Sequence, residues 1–161
     1  MTEDGPIAGA HRSSTHHASC VRVGEAGVLI RGPSGAGKSH LAFALILAGR
    51  TGLIPETVLV GDDRLVLERR GDGLFAAPVP ALAGLLEVRG AGLRRVPYIA
   101  EVEVALVVDL HTPDGARMPR PEDCRLAIGG VTLTRLPVYD RGDAVHQVLA
   151  MLSTEAALQE T

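Results

Sequence analysis

Val28-Leu29-Ile30 leads through Arg31 into Gly32-Pro33-Ser34-Gly35-Ala36-Gly37-Lys38-Ser39, and then into the Leu- and Ala-rich segment Leu41–Arg50. An apolar run, a glycine-rich turn and a strongly helix-forming segment in succession read as strand, loop and helix. The loop fits G-x-x-x-x-G-K-[ST] without departure, a phosphate-binding pattern. Glycines let such a loop wrap so that its N–H groups point inward at phosphate oxygens, and a helix beginning at Lys38 adds its positive end. Lys38 is then placed to reach the β- and γ-phosphates, and the Ser39 hydroxyl to hold Mg²⁺. Gly32, Pro33, Ser34, Gly35, Ala36, Gly37, Lys38 and Ser39 are the expected binding residues for a nucleoside triphosphate or a similar polyphosphate. A glycine-rich turn that binds nothing is the bland alternative, and the flanking strand and helix count against it.

Working outward, Cys20–Val23 and Val28–Ile30 around the Gly24–Gly27 turn predict a hairpin. The first 15 residues mix Gly, Pro, Ser and His and are expected to form a loose tail. Residues 16–161 are expected to form a single P-loop domain. Downstream, Thr57–Val60 reads as a strand. Leu65–Leu67 and Leu74–Ala76 around Gly71-Asp72-Gly73 predict a second hairpin. Leu82–Val88 reads as a short helix after Pro78 and Pro80. Val102–Leu110 is a strand whose apolar centre suits burial on both faces. Residues 112–123 read as a surface loop, and Arg125–Ile128 with Val131–Val138 as a third hairpin. Asp143 caps a last helix running to about Leu158. The expectation is an α/β fold: a P-loop core with a mixed sheet, hairpins and a C-terminal helix.

Composition narrows the function. The chain has 161 residues, 46% hydrophobic and 22% charged, which suits one globular core. A net charge of −3 gives no general attraction for nucleic acid or an anionic membrane. Aromatic residues are only 2%, which argues against base-stacking platforms of the kind that bind single strands. Cys20 and Cys124 have no metal-binding spacing and read as free thiols in a reducing compartment. The start of the chain lacks the pattern of a signal peptide, and the longest apolar stretch, Leu41–Ala48, is too short to span a bilayer. These features predict a soluble, cytoplasmic protein.

A P-loop site calls for a carboxylate at the end of a buried strand to hold Mg²⁺. Two places supply one: Asp109, after Val104–Val108, and the tandem Asp62-Asp63, after Leu59-Val60-Gly61. The tandem offers a division of labour, with one acid on the metal and the other as general base.

Four features together resemble the catalytic domain of the bacterial HPr kinase/phosphorylase family. His17 lies fifteen residues before Gly32. The loop is of the short Gly-x-Ser-Gly-x-Gly-Lys-Ser type. Val60-Gly61-Asp62-Asp63 matches the family's V-A-D-D, and Leu85-Leu86-Glu87-Val88-Arg89-Gly90-Ala91-Gly92 matches its L-L-E-I-R-G-x-G signature. The likeness runs from His17 to Asp109 and has no counterpart of the family's usual N-terminal domain, as in short alphaproteobacterial versions. It implies a core of the HPr kinase and phosphoenolpyruvate carboxykinase type. The implied activity is ATP-dependent, Mg²⁺-requiring phosphorylation of a serine of HPr, the phosphocarrier of the sugar phosphotransferase system, by a homo-oligomer. Position by position, it implies Asp62 as proton acceptor, Ser39 and Glu87 on Mg²⁺ with Asp63 in support, Lys38 on the phosphates and His17 beside the reacting centre. Arg117 is matched to a family arginine. The family's dephosphorylation segment P-V-K-T-G-R is replaced by Pro137-Val138-Tyr139-Asp140-Arg141-Gly142, which lacks the lysine; the kinase direction is therefore the expectation. A non-catalytic, nucleotide-dependent regulator binding HPr or a sensor kinase is the alternative. A small-molecule kinase would want an Arg-rich lid, which is not evident here.

Overall fold

The predicted strand-loop-helix lies at the centre of the molecule. A computed structural model describes residues 13–139 and 143–157. Its strands are β1 (Ser13–His16), β2 (Ser19–Val23), β3 (Ala26–Arg31), β4 (Thr57–Gly61), β5 (Leu65–Arg70), β6 (Gly73–Pro78), β7 (Leu85–Val88), β8 (Gly92–Arg95), β9 (Val102–Asp109), β10 (Arg125–Ile128) and β11 (Val131–Pro137). Its helices are α1 (Lys38–Arg50) and α2 (Ala144–Ser153).

A mixed nine-stranded sheet runs β1-β5-β6-β9-β3-β2-β4, with the β10–β11 hairpin attached through β11 to β9. The strands β3, β9 and β11 are parallel, so Arg31, Asp109 and Pro137 end side by side. The β2–β3, β5–β6 and β10–β11 hairpins form as the sequence predicts.

Alternation along the central strands assigns the two faces. Val28, Ile30, Leu106 and Val108 lie on one face, in a core closed by Leu41, Ala42 and Leu45 of α1 and Val148 of α2. Leu29 and Val107 point the other way, into a second core with Leu65, Leu67, Leu74 and Ala76, because the sheet curls over on itself. Burial on both faces explains the unbroken apolar run at the end of β9. The start of that strand is less buried than the sequence suggests, since Glu103 and Ala105 are exposed. Asp143 caps α2 as predicted, its carboxylate accepting the His146 N–H at 3.3 Å. The helix ends at Ser153 rather than near Leu158.

Two further expectations are corrected. Residues 13–15, placed in the tail, pair together with His16 antiparallel to Leu65–Glu68 as an edge strand; residues 1–12 lie outside the described part. Leu82–Val88 is not a helix. Pro80–Leu82 forms a single 3₁₀ turn, and Leu85–Val88 is a strand paired with Gly92–Arg95. Gly84 causes the change. Its φ of +76° is left-handed, and a Cβ there would lie 2.9 Å from the Tyr98 ring. The chain beyond it alternates, with Leu86 fully buried beneath α1 and Glu87 exposed. Among the described residues, no helix is long and apolar enough to cross a membrane.

Candidate active site

The loop leaving β3 turns back over its own strand before α1 begins. Gly35 and Gly37 have φ values of +81° and +99°, and nothing lies within 4 Å of where their Cβ atoms would be. Backbone conformation rather than crowding therefore selects glycine at both positions. Gly32 differs: its Cβ would approach Leu110 and Ala36 at 3.0 and 3.1 Å, so it serves close packing. The ammonium of Lys38 donates to the carbonyl oxygens of Gly32 at 2.8 Å and Pro33 at 3.1 Å. These bonds close the loop over itself and use two of the three ammonium donors.

A cavity of about 830 Å³ opens above this loop. The loop residues Gly32, Pro33, Ser34, Gly35, Gly37, Lys38 and Ser39 line it, joined by His17, Asp63 and Glu87 from three other segments. The structure thus gathers most of the residues that the sequence singled out.

The tandem acids part company. Asp62 is 5% exposed and does not line the cavity. Its carboxylate accepts hydrogen bonds from Ser19 Oγ at 2.6 Å, from Ser39 Oγ at 2.8 Å to either oxygen, and from the Glu87 backbone N–H at 3.1 Å. Asp63, by contrast, is exposed at the cavity. The backbone produces the split: Asp63 has φ +64°, a left-handed conformation that Asp tolerates better than most residues. The Ala18 N–H donates to the Asp63 carbonyl at 3.2 Å and holds the kink beside His17.

The donor set suits a hard cation. Ser39 donates its proton to Asp62, which leaves its lone pairs available, and the carboxylates of Asp63 and Glu87 share the cavity. Among the described residues, no three His, Cys, Asp or Glu side chains form a ready-made metal cluster. Such a partial oxygen set matches Mg²⁺, which keeps water and substrate phosphate among its ligands.

A family model described as HPr Serine kinase C-terminal domain matches residues 10–113. The chain belongs to this family. Among curated relatives it is 33% identical over 142 residues to the HPr kinase/phosphorylase of Lactobacillus delbrueckii subsp. bulgaricus, covering 80% of this chain and 42% of that protein. It is 28% identical over 150 residues to the HPr kinase/phosphorylase of an Exiguobacterium species, covering 88% of this chain and 40% of that one. The chain thus spans about two fifths of the length of these relatives. The fold matches the HPr(Ser) kinase/phosphatase structure from Coxiella burnetii with a TM-score of 0.68 at 24% identity, covering 86% of this chain and 93% of that one.

Besides Asp62 and the loop residue Ala36, two further sequence candidates do not line the cavity. Arg117 is exposed in the loop after β9 and does not line it. Asp109, the alternative metal ligand, is taken up by ion pairs. Arg31 donates to both of its oxygens, from Nε at 2.8 Å and from Nη2 at 2.9 Å, and Arg135 Nε donates at 2.6 Å. Burial pushes the Asp109 carboxyl up, but the two guanidinium groups outweigh it and hold the group below the usual carboxylate range. Arg135 also donates to Asp114 and Thr112, so one guanidinium ties the ends of β9 and β11 to the loop after β9.

Sequence reading missed Ser19, Arg135, His40 and Phe43. Nothing marks a serine in a strand as a carboxylate's partner. His40 and Phe43 carried a readable signal: Phe43 stands one helical turn beyond Ser39, on the same side of α1, and both residues line the cavity.

Proposed function

We propose that this chain is an ATP-dependent protein-serine kinase acting on the phosphocarrier HPr. The observation that carries the reading is the convergence of Lys38, Ser39, Asp63, Glu87 and His17 on one cavity over the glycine loop. Membership of the HPr serine kinase family supplies the substrate class, and the relatives named above are HPr kinase/phosphorylases.

In the proposed reaction the loop N–H groups and Lys38 hold the triphosphate, and the HPr serine enters from the open side. As the serine oxygen attacks the γ-phosphorus, Asp63 accepts the hydroxyl proton and the bond to the β-phosphate oxygen breaks. This reading moves the base from Asp62 to Asp63. Asp62 is out of the cavity, and three donors already occupy its oxygens. Its part is to fix the Ser39 hydroxyl and the Glu87 backbone. Mg²⁺, held by Ser39 and Glu87, would neutralise charge developing on the phosphates. His17 lines the cavity, where an imidazole can donate to a phosphate oxygen. Positioning and charge neutralisation carry such a transfer, with no covalent enzyme intermediate.

The test is transfer of the γ-phosphoryl of labelled ATP to purified HPr with Mg²⁺. Label is expected on the acceptor serine and lost when that serine becomes alanine. Lys38→Ala should lower the rate roughly 10²–10³-fold, as expected for a donor aimed at developing charge. Nucleotide binding without any transfer would favour the regulator reading and overturn this one.

A further inference from the structure

We propose that the apolar part of the cavity lining, Phe43 and Val88, seats the nucleobase of the triphosphate. The proposal rests on the reading of the cavity as a nucleotide site and adds the part of the ligand that the loop does not read.

The cavity lining is of two chemical kinds. Lys38, Ser39, Asp63 and Glu87 are polar, whereas Phe43 and Val88 are half-buried and pack against the core beneath α1 while still lining the cavity. Ligand sites typically pair an apolar wall with a few convergent polar groups.

Spacing supports the assignment. Phe43 is four residues beyond Ser39, about 6 Å along the axis of α1. If the terminal phosphates lie at the loop and Ser39, the base must lie several ångströms away, beyond the α-phosphate and ribose.

The chain is poor in rings, with Phe43, Phe75, Tyr98 and Tyr139 its whole set of Phe, Tyr and Trp. Among the described residues, Phe43 is the one member of that set lining the cavity. His40 is one turn before Phe43 on the same helix and also lines the cavity. Its imidazole offers both a donor and an acceptor for a base edge or a ribose hydroxyl. A stacked base with one polar contact at its rim is the arrangement these residues can provide.

The experiment compares the wild type with Phe43→Leu, using Mg²⁺-ATP and Mg²⁺-tripolyphosphate as separate probes in calorimetric titrations. Stacking on one aromatic ring is a large enough effect for ATP affinity to fall roughly tenfold in the variant. Tripolyphosphate, which has no base, should bind both proteins alike, and Phe43→Tyr should bind ATP like the wild type. If Leu weakens the fold, Phe43→Met gives the same comparison.

Equal loss for both probes, or loss for neither, overturns the base seat. So would unchanged ATP affinity with a raised KM for HPr, which would make these residues a dock for the protein acceptor. A wild type that binds neither probe would instead overturn the nucleotide reading itself.

Discussion

The hydroxyl of Ser39 donates to the carboxylate of Asp62 at 2.8 Å to either oxygen, linking the first turn of α1 to the end of β4. This bond fixes where the lone pairs of Ser39 point, and it turns one of two adjacent acids into a structural acceptor. The neighbour, Asp63, is left facing the cavity. Different damage is therefore expected from the two isosteric changes. Asp63→Asn removes the proposed base and should lower the transfer rate by roughly 10²–10⁴ with little loss of stability. Asp62→Asn puts an amide where three donors converge, so it should lower stability by about 1–3 kcal/mol and weaken Mg²⁺ dependence through misplaced Ser39. Urea midpoints and Mg²⁺ titrations of the two variants separate these effects. Full activity in Asp63→Asn would return the base to Asp62.

Glu87 reaches the site in two ways. Its backbone N–H donates to Asp62 at 3.1 Å, while its side chain is exposed at the cavity. Glu87→Gln keeps the backbone bond and removes only the charge. The Mg²⁺ concentration for half-maximal activity is expected to rise roughly ten- to hundredfold with an unchanged melting temperature. An unaltered Mg²⁺ titration would leave Asp63 as the carboxylate on the metal.

What could be read in advance followed the range of the forces involved. The loop Gly32–Ser39, the hairpins and the capped last helix depend on neighbours a few residues apart, and local sequence dictates them. Leu82–Val88 differs from its expected helix because a short, mostly apolar segment fits either period. The left-handed Gly84, packed against the Tyr98 ring, interrupts a helix there, and the residues beyond it pair as a strand. The tandem acids show the same limit at the site. Their presence was legible, but which one turns inward depends on Ser19, 43 residues away from Asp62, and on the kink that Ala18 holds. Likewise, a strand-end acid looks like a metal ligand until the fold delivers Arg31 and Arg135 to Asp109.

That ion-pair centre has a measurable acid dependence. Hydrogen bonds from Arg135 and Thr112 depress the Asp114 carboxyl strongly, and two guanidinium groups hold Asp109 down against its burial. A carboxyl lowered in the folded state stabilises above its unfolded pKa of about 4, and that stability is lost as pH falls through the folded value. Urea midpoints are therefore expected to hold from neutrality to about pH 4–5 and drop below. Arg135→Met should cost about 3–5 kcal/mol at pH 7, because it strips a guanidinium only 11% exposed from carboxylates that depend on it. The variant should also lose less on acidification than the wild type. Equal acid slopes would show that other carboxylates govern the transition.

The last prediction concerns the reverse reaction, in which inorganic phosphate attacks seryl-phosphate and releases pyrophosphate and free serine. That direction needs positive charge for the incoming phosphate, and the segment matched to it has Tyr139 where the family has lysine. Asp140, Arg141 and Gly142 lie outside the described residues, but the stretch leading to them is committed to packing. Pro137 and Val138 are buried. The Tyr139 N–H donates to Gln147 Oε1 of α2 at 3.1 Å. Gly115 presses so closely on Val138 that a Cβ there would meet its carbonyl oxygen at 2.1 Å. A backbone held from both sides has little freedom to bring another cation to the place of the missing one. Seryl-phosphorylated HPr incubated with the protein, Mg²⁺ and phosphate should therefore release pyrophosphate far more slowly than ATP phosphorylates HPr. Tyr139→Lys, which leaves the backbone bond to Gln147 in place, should raise that release. Rapid release by the wild type would mean that charge from elsewhere receives the phosphate and that Tyr139 marks no deficit.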